Sequence, residues 1–154
     1  MQVRYINPFI DSAINVLQQM AGLSSERGDL GLRDSVIPNH EVAVVLGIVG
    51  QVNGQVAYSM SQESAKEIAS RMMGGMPVNT FDQMPKSAIA ELGNMITGNA
   101  SAALEKQGIQ CNISPPTLIT GEKMKIYTAK LQTLVVPLRT ELGIIEICVG
   151  VKEV

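Results

Sequence analysis

The chain opens with a helical period. Ile6, Phe9, Ile10, Ala13, Ile14, Leu17 and Met20 recur at intervals of three and four, which predicts a helix over Val3–Ala21 that ends at Gly22. Proline lacks a backbone donor and is tolerated in the first turn, so Pro8 predicts a short extended lead-in before the helix proper. Ser24 to Asn39 is rich in glycine and charge and reads as a polar connection. The period then changes. Glu41–Val49 and Val52–Ser59 are β-branched runs, and Asn53-Gly54 predicts the hairpin that joins them. Ser61 is placed to cap a helix running through Met73, with Glu63 and Glu67 in the early turns where the helix dipole favours acids. Gly74-Gly75 stops it. After a linker from Met76 to Phe81, Asp82 can cap the longest helix, which runs to about Gln107 and ends at Gly108. Three strands close the chain, near Ile109–Ile113, Lys125–Val136 and Leu142–Val151. Pro115-Pro116 breaks between the first two, and Thr140 to Gly143 turns the last hairpin. The order is α-β-β-α-α-β-β-β, an α+β arrangement with an antiparallel sheet and flanking helices.

Composition narrows what such a chain does. Its 154 residues suit a single domain spanning 1–154, with enough core to fold without staples. Tryptophan is absent and Met numbers nine, so the core is expected to be aliphatic with adaptable filler. A net charge of −2 and few aromatic residues give neither a basic field nor stacking platforms, so no nucleic-acid partner is expected. The N-terminal stretch has no unbroken apolar segment and no small-residue cleavage site, and no run of eighteen apolar residues occurs. A cytoplasmic protein with no membrane partner is the expectation. Cys111 and Cys148 are too few and too far apart for a disulfide framework or a zinc site, and are expected to be reduced and buried. The single histidine, His40, reads as a loop or strand-end residue.

The long helix carries the chemistry. At about 100° per residue, Ser87, Glu91, Asn94, Gly98, Ser101 and Glu105 fall in a stripe roughly 80° wide. Ile89, Leu92, Ile96, Ala100 and Ala103 lie opposite and are expected in the core. Glu91 and Asn94 are therefore neighbours one turn apart, pointing outward together. Any amphipathic helix has a polar face. Here, however, a mid-helix Asn stands between Gly93 and Gly98, each glycine costing on the order of 1 kcal/mol relative to Ala. Small neighbours would leave the Glu and Asn side chains clear of the surface, free to enter a partner's cleft.

The stretch Ser87-Ala88-Ile89-Ala90-Glu91-Leu92-Gly93-Asn94 resembles the Ser/Asp-x3-Glu-x2-Asn signature of the CheC/CheX/FliY phosphatases of bacterial chemotaxis. Met72-Met73-Gly74-Gly75-Met76 before it and Pro115-Pro116-Thr117 after it are similar to the CheX branch, and the likeness runs over essentially the whole chain. No second Glu-x2-Asn occurs, which again resembles CheX, whose members carry one copy and are typically homodimers. The resemblance implies removal of the phosphoryl group from the aspartyl-phosphate of a CheY-like response regulator, in chemotaxis or another two-component pathway. The regulator would supply the Asp, the Mg²⁺ and a Lys, leaving this chain with no cofactor or metal of its own. It also implies that Asn94 holds the attacking water, that Glu91 pairs with the regulator's Lys, and that Ser87 supports them by helix packing or a rim hydrogen bond. A homodimer with two sites would follow, with joined edge strands as one route to it. The alternative is a non-catalytic CheX- or FliM-like module that binds a phosphorylated receiver domain or the flagellar switch. The presence of both Glu91 and Asn94 favours the phosphatase over that module, and the likeness at Met72 to Met76 and Pro115 to Thr117 counts against a merely solvated stripe.

Overall fold

A computed structural model describes residues 3–37, 40–122, 124 and 126–154. Its elements are α1 (Val3–Ala21), β1 (Ser25–Arg27), β2 (Gly31–Ile37), β3 (Val42–Gly50), β4 (Val52–Met60), α2 (Gln62–Met72), α3 (Gln83–Lys106), β5 (Cys111–Ile113), β6 (Thr117–Thr120), β7 (Ile126–Thr140) and β8 (Gly143–Glu153). The strands form one antiparallel sheet in the order β1-β7-β8-β4-β3-β5. β2 follows β1 along the same edge of β7, and β6 pairs with β3 beside β5. The α+β fold and the expected order are present, with three short strands added to it.

Alternation along the central strands builds the core. Val42, Val44, Leu46 and Ile48 of β3, Val56, Tyr58 and Met60 of β4, and Ile145, Ile147, Val149 and Val151 of β8 all join the main buried cluster. The helices lie against it, with α1 packed on α3, α2 touching both, and α3 resting on β3 and β5. Among the intervening positions, Ala57, Val135 and Cys148 form a second, separate buried cluster. This is period-two patterning, with successive side chains on opposite faces of the sheet.

Several boundaries differ from expectation. Pro8 lies well inside α1 rather than at its start, because Tyr5 and Ile6 before it are buried and the Tyr5 hydroxyl hydrogen-bonds Glu153. Burial of that first turn outweighs the missing backbone bond. Ser24 to Asn39 is not a plain connection. It holds β1 and β2, which take their hydrogen bonds from distant β7 (Ser25 opposite Thr140, Gly31 opposite Val135), while Pro38 and Asn39 lie outside the described residues. The hairpin turns at Gly50-Gln51, not at Asn53-Gly54. Gly54 lies within β4, and a Cβ there would stand 1.9 Å from the Gly150 carbonyl of β8, so the glycine serves close strand approach. β7 continues through Pro137 to Thr140, whereas Lys125 lies outside the described residues. The missed β6 pairs Thr117–Thr120 with Val42–Val45 beyond the Pro115-Pro116 break.

The helix signals hold closely. Ser61 Oγ accepts from the Ser64 amide at 3.1 Å as the N-cap of α2. Gly74 and Gly75 take φ of +72° and +87°, and the Gly75 amide returns to the Ser70 carbonyl at 2.8 Å. Asp82 occupies the N-cap position of α3, but its carboxylate makes no capping bond.

Candidate functional site

α3 is a rigid platform because it is held along its length. Pro85, Ile89, Leu92, Ile96, Ala100 and Leu104 bury its inner face, while Ala103, expected in the core, is half-buried. Its outer face presents Ser87 and Glu91 exposed and Asn94 half-buried. The structure thus brings Glu91 and Asn94 together one turn apart, as the spacing predicts. Among the described residues neither side chain has a hydrogen bond or an ion pair, so both are uncommitted on a fixed backbone. Ser87 is exposed on the same face, one turn before Glu91. Ser101 leaves the outward set: its hydroxyl donates to the Cys111 carbonyl at 3.1 Å and ties α3 to β5.

The two glycines serve different ends. Gly98 has open space where a Cβ would go. A larger side chain there would lean back over Asn94, one turn earlier on the same face, so this glycine does keep Asn94 clear. Gly93 does not. It is buried, and a Cβ on it would stand 2.6 Å from Val44 Cγ1 and 3.4 Å from Tyr58 Cδ2. Its absent side chain lets the helix settle onto the Val44–Tyr58 cross-strand pair. Directly beneath Asn94 the buried Thr97 hydroxyl donates to the Gly93 carbonyl at 2.7 Å and lies 2.8 Å from the Tyr58 hydroxyl. Burial pushes the Tyr58 phenol well above its ordinary 10.0, so it stays protonated.

Sequence reasoning missed an apolar flank. Met84 stands seven residues before Glu91, within about 20° of it around the helix, and is 61% exposed. Met76, from the linker ahead of α3, is 53% exposed, and the two line a cleft of about 300 Å³ with Met73, Pro77 and Val78. The seven-residue spacing from Glu91 would have revealed Met84; no helical period extends to Met76, which precedes the helix.

The other candidates fall elsewhere. His40 stands between β2 and β3, half-buried, its Nε2 2.7 Å from Glu146 Oε1. Cys148 is buried, but Cys111 is only half-buried, and neither forms a disulfide. Among the described residues no three His, Cys, Asp or Glu side chains gather as metal ligands, and no helix is long and apolar enough to cross a membrane.

Comparison with known proteins bears on this face. Residues 42–139 match the model of the family described as Chemotaxis phosphatase CheX. The chain is 36% identical over 126 residues, 82% of its length and 81% of the relative's, to the CheY-P phosphatase CheX of Thermotoga maritima. Among solved structures it is similar to a CheC-like superfamily protein from Shewanella sp. PV-4, at 27% identity and a TM-score of 0.91 over 99% of both chains. It is also similar to the CheX of the CheX–CheY–BeF₃–Mg²⁺ complex from Borrelia burgdorferi, at 33% identity and a TM-score of 0.83, covering 99% of this chain and 100% of that one. The family match takes in β3, β4, α2, the whole of α3, β5, β6 and all but the last residue of β7, and with the 36% identical relative it shows that the chain belongs to the CheX family of chemotaxis phosphatases.

Proposed function

We propose that this chain hydrolyses the aspartyl-phosphate of a CheY-like receiver domain, with Asn94 holding the attacking water and Glu91 fixing the docked register. The observation that carries this reading is the pair itself: two uncommitted polar side chains, one turn apart, on the outer face of a helix whose inner face is buried. Such a pair is built to enter another molecule's site. The Borrelia burgdorferi relative has been seen with CheY, BeF₃ and Mg²⁺, which supports a receiver domain as that molecule.

The chemistry asks little of this chain. Water attacks phosphorus, the bond from phosphorus to the aspartyl oxygen breaks, and inorganic phosphate leaves with the carboxylate restored. Phosphoryl transfer is accelerated mainly by positioning and charge stabilisation. The Asn94 carboxamide can accept one hydrogen bond from the water and donate another without being a strong base, which orients the nucleophile in line. The Glu91 carboxylate can pair with the receiver's Lys in a charge-assisted contact. The Mg²⁺ that neutralises the phosphoryl oxygens belongs to the receiver. Met84 and Met76 extend the same face with flexible apolar surface that can adapt to the receiver beside its phosphorylated site. We further propose that the chain works as a homodimer with one such face per protomer.

The test is decay of the ³²P-labelled phospho-receiver, with wild type beside Asn94→Ala. Acceleration by wild type alone, with the variant's thermal unfolding unchanged, is the expected result. Binding to the phosphorylated receiver without acceleration would replace the reading with that of a non-catalytic docking module. An Asn94→Ala chain that melts early would make the residue structural.

A further inference from the structure

We infer that the buried hydroxyl pair Tyr58–Thr97 is a positioning device for catalysis, holding the peptide unit that carries Asn94. The inference rests on the proposed role of Asn94. The Gly93 carbonyl and the Asn94 amide belong to one planar peptide, so whatever grips that carbonyl also fixes the Asn94 backbone. Thr97 grips it, at 2.7 Å. A carbonyl can only accept, so the single Thr97 hydroxyl proton goes to Gly93, and Tyr58 must therefore be the donor in its 2.8 Å contact with Thr97 Oγ1. The proton order is thus unique: Tyr58 Oη–H to Thr97 Oγ1, and Thr97 Oγ1–H to the Gly93 carbonyl.

The anchor of this chain is the sheet. Tyr58 is 2% exposed and Thr97 is 0% exposed, so neither bond competes with water. Tyr58 lies in β4, opposite Val44 of β3, and it is on this pair that Gly93 settles without a Cβ. Steric contact sets how close the helix comes. The hydroxyl chain sets its place along the strands and the tilt of the Gly93–Asn94 peptide. Thr97 stands where an aliphatic residue would serve packing alone, and a hydroxyl bonded to the carbonyl four residues back brings the helix no stability of its own. Its placement under the catalytic turn is explained by geometry that Asn94 needs.

The test uses steady-state dephosphorylation of the acetyl-phosphate-charged receiver by Tyr58→Phe, Thr97→Val and Thr97→Ser, beside wild type and Asn94→Ala, all below their unfolding temperatures. Tyr58→Phe and Thr97→Val should lower kcat about tenfold with KM for the receiver unchanged, as expected for a displacement of some tenths of an ångström at a water-holding group. Thr97→Ser, which keeps the hydroxyl and loses only a methyl, should stay near wild type. Ser61→Ala, at the α2 cap, gives a destabilised control whose kcat should not move. Full kcat in folded Tyr58→Phe and Thr97→Val, with Asn94→Ala inactive, would overturn the positioning role and leave the proposed function standing. Wild-type rates from Asn94→Ala would overturn both.

Discussion

Asn94 illustrates how much one residue's role depends on its neighbours. Its chemistry is legible from the chain, because Glu-x2-Asn in a helix puts both side chains on one face. Its support is not, because Tyr58 is separated from Thr97 by 39 positions and no local period joins them. Gly93 was legible as a glycine in an awkward place, but its reason lies in Val44 across the interface rather than in exposure. Gly93→Ala should therefore destabilise the fold by about 1–3 kcal/mol, since β-branched Val44 has little room to yield, and should slow dephosphorylation as the helix lifts. Chemical denaturation alongside the phospho-receiver assay checks both. Tyr58 adds a pH signature. Its folded phenol keeps its proton above 10.0, where the unfolded chain releases it. Above that pH the unfolded state binds fewer protons, so stability is complete below pH 10 and falls as pH rises past it, by up to about 1.4 kcal/mol per pH unit from this group. Tyr58→Phe should remove that part of the alkaline slope in denaturation curves taken between pH 9 and 11.

Among the elements, helices were read closely and short strands poorly. α1, α2 and α3 carry their own evidence: a 3.6-residue period, Ser61 at a cap, and Gly22, Gly74 and Gly108 at positive φ past their ends. β1, β2 and β6 carry none, since their partners lie far away along β7 and β3. Leu32 of β2 is 59% exposed, so its apolar side chain does not mark a buried face. Asn53-Gly54 misled for a related reason, as the demand on Gly54 comes from β8, nearly a hundred residues later. At this scale the prediction concerns the N-terminal end of the proposed catalytic face. Met84→Glu should raise KM for the phospho-receiver several-fold and leave kcat nearly unchanged, because Met84 lies nearly three turns from Asn94 and contributes apolar contact rather than positioning. Steady-state kinetics over a range of receiver concentrations separates the two.

For the whole molecule, the open prediction is assembly. Sedimentation equilibrium should give twice the 16.5 kDa chain mass, and a monomer would leave each protomer with a single independent face. What the chain determined by itself was everything that depends on neighbours in sequence: three amphipathic helices, the central and C-terminal strands, and the Ser87-x3-Glu91-x2-Asn94 face with its family likeness. Helical hydrogen bonds close within four residues, so their signals are local. Tertiary structure decided what depends on partners distant in sequence: the edge strands, the true turn at Gly50-Gln51, and the hydroxyl chain from Tyr58 to Gly93. Strand pairing and buried side-chain bonds cost chain-closure entropy over tens of residues and are repaid only when the whole sheet and its helical layer assemble.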